Sequence, residues 1–192
     1  MYTGERDQRQ LFHGHGTLYD KSGHIVHSGE WCRGVPHGNG VSFKNNAVYM
    51  TGKFGDGLPH GFCTEHNCRG CIVFSGQWVS GKRDGVGMAF SSNGRLQYVG
   101  HWKDNQPNGY GHHFSYEGYV TYMGNWLNGL RDEYGTNFYS EHGIQVTGNW
   151  HRDSLNGHAQ MFADGRKTFD GFWRNHKRHG EGTSFFKSTG NV

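Results

Sequence analysis

Apolar and polar residues alternate with a period of two along this chain, and the alternation restarts around a glycine every 23 or 24 residues. The anchor glycines are Gly29, Gly52, Gly76, Gly100, Gly124, Gly148 and Gly171, with a divergent first copy at Gly4. Two residues before the anchor stands a large side chain: Tyr2, Met50, Phe74, Tyr98, Tyr122, Val146 or Phe169, with His27 as the exception. Two residues after it stands an aromatic: Trp31, Phe54, Trp78, Trp102, Trp126, Trp150 or Trp173, with Arg6 breaking the rule in the first copy. The intervening positions are mostly polar, as at Ser75, Gln77, Thr147 and Asn149. Such a pattern predicts a strand with one apolar face.

A second strand follows in each copy. A Gly-x-Gly such as Gly38-Asn39-Gly40 or Gly85-Val86-Gly87 leads to another aromatic, from Tyr19 and Phe43 to Phe90, Phe114, Phe138, Phe162 and Phe185, with His66 departing. Turn residues separate the strands, including Gly34, Gly57, Gly81 and Gly129. Each copy therefore reads as a β-hairpin. A fixed period of this length marks a repeat array. About eight copies cover residues 2–26, 27–49, 50–73, 74–97, 98–121, 122–145, 146–168 and 169–192, as one array over 1–192. Cys63, Glu133 and Ala159 replace glycines of the Gly-x-Gly pairs.

Tyr98-Val-Gly-His-Trp-Lys-Asp-Asn-Gln-Pro-Asn-Gly-Tyr-Gly111 and Tyr122-Met-Gly-Asn-Trp-Leu-Asn-Gly129 resemble the MORN repeat, the membrane occupation and recognition nexus. The expected fold is all-β, an elongated single-layer twisted antiparallel sheet of eight consecutive hairpins. The resemblance implies a non-enzymatic scaffold or adaptor. It also implies cytoskeletal or ciliary settings in the cytoplasm, with docking of a protein partner, a helix or peptide, in an aromatic groove.

Composition suits this reading. Only 33% of residues are hydrophobic and 33 are glycine, too little aliphatic material for a thick two-layer core. Stability must come from rungs contacting their neighbours, with aromatic rings supplying the buried area. A formal charge of +3 with nearly balanced acids and bases argues against a nucleic-acid binder. No long apolar run is present, so no membrane-spanning segment is expected. The N-terminal residues enter the first repeat without a signal-peptide core, so intracellular residence is the default expectation. The array reads equally as a complete short protein or as a piece of a longer one.

A one-layer sheet leaves its aromatic face open, which makes Trp31, Phe54, Trp78, Trp102, Trp126, Trp150 and Trp173 the expected lining of a partner-binding groove. Tyr98, Tyr122, Phe90, Phe114 and Phe138 share that face. The rival is peripheral binding to anionic phospholipid through cations such as Lys82, Arg83, Arg131, Arg152, Arg166, Lys167, Arg174, Lys177 and Arg178. Service as a targeting module of a larger protein is a third reading. Unpaired strands at the ends of the array suggest self-association through sheet edges.

One cluster carries metal-ligand residue types: His60, Cys63, His66, Cys68 and Cys71. The Cys-x2-Cys spacing suits zinc, but the second paired half is missing and alternation sends neighbours to opposite faces. Reduced structural thiols are the competing reading, and no other cofactor is expected. His13, His37, His60 and His179 recur before the Gly-x-Gly, where turn chemistry is one reading and a row of imidazoles across the rungs that binds a metal is the other. No nucleophile elbow, phosphate loop or HExxH motif is present, so no catalytic role is expected.

Overall fold

The computed structural model describes residues 1–139 and 143–186. The chain forms two compact units, Met1–Asn105 and Gln106–Val192. The first holds β1 (Tyr2–Arg6), β2 (Phe12–Tyr19), β3 (Ile25–Cys32), β4 (Val35–Lys44), β5 (Ala47–Gly55), β6 (Leu58–His66), β7 (Ile72–Val79), β8 (Lys82–Phe90) and β9 (Leu96–Lys103). The second holds β10 (Gln106–Phe114), β11 (Val120–Leu127), β12 (Leu130–Tyr139), β13 (Ile144–His151), β14 (Ser154–Ala163), β15 (Arg166–Arg174) and β16 (Lys177–Ser184). Within each unit the strands pair in chain order, every pair antiparallel. Among the described residues there is no helix, and so none long and apolar enough to cross a membrane. The all-β, hairpin-built fold read from the alternation is the fold observed.

Two kinds of turn join the strands. The tight ones place Arg33 and Gly34, or Asp56 and Gly57, at positive φ in succession, the geometry that matches strand twist. The looser ones are closed by a side chain. The Asp20 carboxylate accepts the backbone N–H of Ser22 at 2.8 Å and of His24 at 2.9 Å, and the Asn67 amide oxygen does the same for Arg69 and Cys71.

The anchor glycines and the second glycines meet across every rung. In the first unit the ladder runs Gly4, Gly16, Gly29, Gly40, Gly52, Cys63, Gly76, Gly87, Gly100. In the second it runs Gly111, Gly124, Gly135, Gly148, Ala159, Gly171, Gly182. Beyond the anchor the register slips, between Gly29 and Trp31, Gly76 and Trp78, and Gly148 and Trp150 among others. This repeated bulge increases local twist and re-aims the aromatic that follows.

Candidate binding surface

The seam exists to admit rings. A Cβ on Gly182 would lie 2.6 Å from Cζ of Phe169, and one on Gly40 would lie 2.6 Å from Nε2 of His27. The residue two before the anchor thus lies flat over the glycine of the facing strand. Where that residue is tyrosine, its hydroxyl reaches the carbonyl three residues on: Tyr98 donates to His101 and Tyr122 to Asn125, each at 3.1 Å. Burial pushes both phenol pKa values up.

The indoles use the same seam. Trp31 Nε1 donates to the Gly16 carbonyl at 3.0 Å, Trp102 to Gly87 at 3.2 Å, Trp126 to Gly111 at 3.3 Å and Trp150 to Gly135 at 3.1 Å. Trp78 and Trp173 have buried Nε1 atoms without a partner. These two pair in register with Gly61 and Gly157, and in both rungs the seam position two residues further along the facing strand carries a side chain, Cys63 or Ala159.

Rings alternate edge to face along the column. Phe74 meets Trp78 and Trp102 at centroid distances of 5.5 and 5.1 Å, and Tyr122 meets Trp126 and Trp150 at 5.2 and 5.6 Å. A cross-strand residue then covers each indole or phenyl ring. Pro36 pairs with Trp31, Pro59 with Phe54, Arg83 with Trp78, Arg131 with Trp126 and Leu155 with Trp150. The Arg83 guanidinium lies 4.6 Å from the Phe74 centroid, and that of Arg131 lies 4.5 Å from Trp150. Both are held from their polar ends, Arg83 by Glu65 at 2.7 Å and Arg131 by Asp153 at 2.9 Å and Asn137 at 2.8 Å.

The choice between proline and arginine follows the next turn. Arg83 and Arg131 own a backbone N–H, and the side chains of Asn105 and Asp153 accept it at 2.9 Å. Pro36, Pro59 and Pro107 own none, and the corresponding turns carry Gly57, Gly81 and Gly129, each donating its N–H back to the proline carbonyl at 2.9 Å.

This packing corrects the expectation of an open groove. Trp31, Phe54, Trp78, Trp102, Trp150 and Tyr98 are 3–7% exposed and Tyr122 is 2% exposed. Trp126, Trp173, Phe90, Phe114 and Phe138 are partly buried. The bare seam lets the rings lie flat, and the proline, arginine and leucine caps close over them. What the ring face presents at the surface is therefore the caps, backed by rings.

The opposite face was not read from the sequence. In the first unit it exposes Phe62, at 62%, with Val86 and Met88; in the second it exposes Tyr110, Phe172 and Tyr134, the last at 60%. Val86 and Tyr110 are the middle residues of a Gly-x-Gly, Phe62 and Tyr134 hold the same position where Cys63 and Glu133 replace a glycine, and strand alternation alone sends them away from the rings. The residue after the anchor closes a backbone donor on this face. Glu5 accepts from His15 N–H, Glu30 from Asn39 N–H and Gln77 from Val86 N–H, at 3.1, 2.9 and 2.7 Å.

The Cys/His cluster does not assemble. Cys63 is fully buried on the ring side and donates to the Lys53 carbonyl, and burial pushes its thiol pKa up. Cys68 is exposed at a turn, Cys71 is partly buried, and His60 is exposed at the start of its strand. Among the described residues no three His, Cys, Asp or Glu side chains converge on a metal position. His13, His37 and His179 are exposed as well.

Seven segments of the chain, 11–25, 27–47, 51–72, 74–94, 98–114, 122–136 and 169–188, match the family description MORN repeat. The chain belongs to the MORN repeat family. No curated protein matches it. The family is one of binding and scaffolding repeats and is generally non-enzymatic. Residues 146–168 fall outside the matched segments, yet they form β13 and β14 in the same register as the other MORN rungs. That copy carries Val146 and Ala159 in place of the ring and glycine of the pattern.

Proposed function

We propose that this MORN array is a non-enzymatic scaffold that holds a protein partner, a helix or extended peptide, on the capped ring face. The observation that carries this reading is the pair of pre-ordered arginines. Arg83 and Arg131 are laid on Trp and Phe or Tyr rings and pinned by acids before any partner arrives. Aromatic and arginine side chains dominate interface hot spots, and groups already ordered lose little entropy on binding. The cytoskeletal or ciliary setting in the cytoplasm rests on family membership alone.

Replacing the buried tryptophans would test folding more than binding, since truncating a buried ring costs about 3–5 kcal/mol. The cleaner test is affinity capture from native cells with Arg83→Ala and Arg131→Ala beside Phe62→Ser and Tyr134→Ser. A protein lost with the first pair and kept with the second supports the reading. The reverse pattern overturns it in favour of the opposite face.

A second reading, binding to anionic phospholipid, has its own observation. Arg166, Lys167, Arg174, Lys177 and Arg178 gather on β15 and β16, where Phe172 is exposed and β16 is exposed throughout. Sedimentation with phosphatidylserine vesicles at physiological salt supports it; absence of binding at low salt removes it. Edge-to-edge self-association is a third proposal, read from molar mass by light scattering across concentrations.

A further inference from the structure

Three copies put arginine in the cap position, and the chain supplies an acid to only two of them. Arg83, Arg131 and Arg178 pair across the strands with Trp78, Trp126 and Trp173. All three guanidinium groups lie on rings; that of Arg178 is 4.3 Å from the Phe169 centroid and 5.9 Å from that of Trp173. Arg83 then meets Glu65, and Arg131 meets Asp153. Among the described residues Arg178 meets no carboxylate, and its Nη2 donates to the Met161 thioether at 3.7 Å.

Glu65 and Met161 hold the same place. Glu65 pairs with Phe74, and Met161 pairs with Phe169. Arg83 on β8 reaches over Phe74 on β7 to Glu65 on β6. Arg178 on β16 reaches over Phe169 on β15 to Met161 on β14. The arginine remains, and its acid has become an uncharged sulfur that accepts weakly. Nothing nearby makes up the loss. Arg174, His176, Lys177 and His179 flank Arg178 in sequence, and Asp170 is already held by Lys167 and Gln160. Glu181 is the middle residue of its Gly-x-Gly, the position that alternation sends to the other face.

We propose that Arg178 is a receptor for a carboxylate, an aspartate or glutamate side chain of the protein partner, set down where Glu65 stands against Arg83. The rings beneath the guanidinium fix its place before binding, and its paired N–H donors match the two oxygens of a carboxylate. This rests on the ring-face reading above and deepens it, since it makes the partner segment acidic at this point.

The test titrates the purified whole chain with N-acetyl-tetraglutamate and, separately, with inorganic phosphate, each to about 10 mM. The Arg178 Nε–Hε and Met161 methyl signals are followed by NMR. Saturable shifts with the peptide are expected. Met161→Glu rebuilds the Glu65 and Arg83 pair within the chain and should weaken the peptide about ten-fold or more. Arg178→Lys keeps the charge but loses the fork, and should weaken it comparably. Absence of peptide shifts, equal affinity in a folded Arg178→Lys variant, or saturation by phosphate without a response to peptide overturns the proposal. If those shifts are absent while a captured protein is still lost with Arg83→Ala and Arg131→Ala, the ring-face reading stands and this proposal alone falls.

Discussion

The Tyr122 ring lies across Gly135, so closely that a Cβ there would sit 2.5 Å from its Cζ and 2.8 Å from Cε2. The equivalent pair one rung on is Val146 and Ala159, both buried in one cluster with Trp150 and Leu155. A third such pair is Met50 with Cys63. Within this chain, a side chain enters the seam only where the residue above it is not a ring.

Gly135→Ala should therefore destabilise the fold by about 2–3 kcal/mol through overpacking. Adding Tyr122→Val recreates the Val146 and Ala159 combination. The double variant should be more stable than the sum of the two single losses predicts, by about 1 kcal/mol or more. Urea melts of the four proteins measure this coupling; strict additivity would show that ring and glycine do not interact.

Glu133 occupies the first position of its Gly-x-Gly with φ of 56°, a region where Gly14 and Gly38 sit without strain. Glu133→Gly should raise stability by about 1 kcal/mol. The opposite sign would mean that the bond from Asn125 Nδ2 to its carboxylate, at 3.1 Å, outweighs the backbone strain.

His27 replaces a ring at 3% exposure, bonded through Nδ1 to Ser42 at 2.8 Å and with Nε2 unpartnered. Burial lowers its pKa from 6.5 to about 4. The unfolded chain therefore binds a proton at a pH where the folded chain does not. Stability contributed by neutral His27 is intact above about pH 6.5 and falls as pH drops toward about 4, by roughly 3 kcal/mol at most. His27→Phe should flatten the stability profile in that window, as measured by thermal melts from pH 7 to pH 4; an unchanged slope would assign the acid sensitivity elsewhere.

Thiol reactivity should follow burial. Iodoacetamide is expected to label exposed Cys68 first, and Cys63 only on unfolding, because its thiol is buried and its pKa raised. Peptide mapping of a timed reaction reads the order directly. Early labelling of Cys63 would show that its rung opens readily.

The hairpins were legible because period-two alternation and turn residues both report local geometry. Gly29, Gly40 and Trp31 declare strand, seam and ring without any partner in view. The caps were not legible. Pro36 and Arg83 have nothing chemically in common, and their equivalence appears only when each is found opposite a ring, answered by Gly57 or Asn105 in the next turn. Nor did the pattern distinguish rings that line a groove from rings that are covered. That difference depends on cross-strand neighbours in the bulge, where register no longer follows simple counting. Phe62 and Tyr134 give no such signal, because each has a glycine beside it, Gly61 or Gly135, and glycine reads as turn chemistry, whereas both lie within strands and are exposed.

The bonds between successive turns carry a further consequence. Gly81 reaches back to Pro59, Asn105 to Arg83 and Asp153 to Arg131, always to the preceding copy and always between the same two places in it. A gene that duplicates or drops one whole copy keeps every such donor opposite an acceptor. One that gains or loses a single residue within a strand breaks the seam, the cap and the turn together. Length in this architecture is inherited in whole rungs, and a rung such as 146–168 can drift far from the common pattern while its neighbours keep it in register.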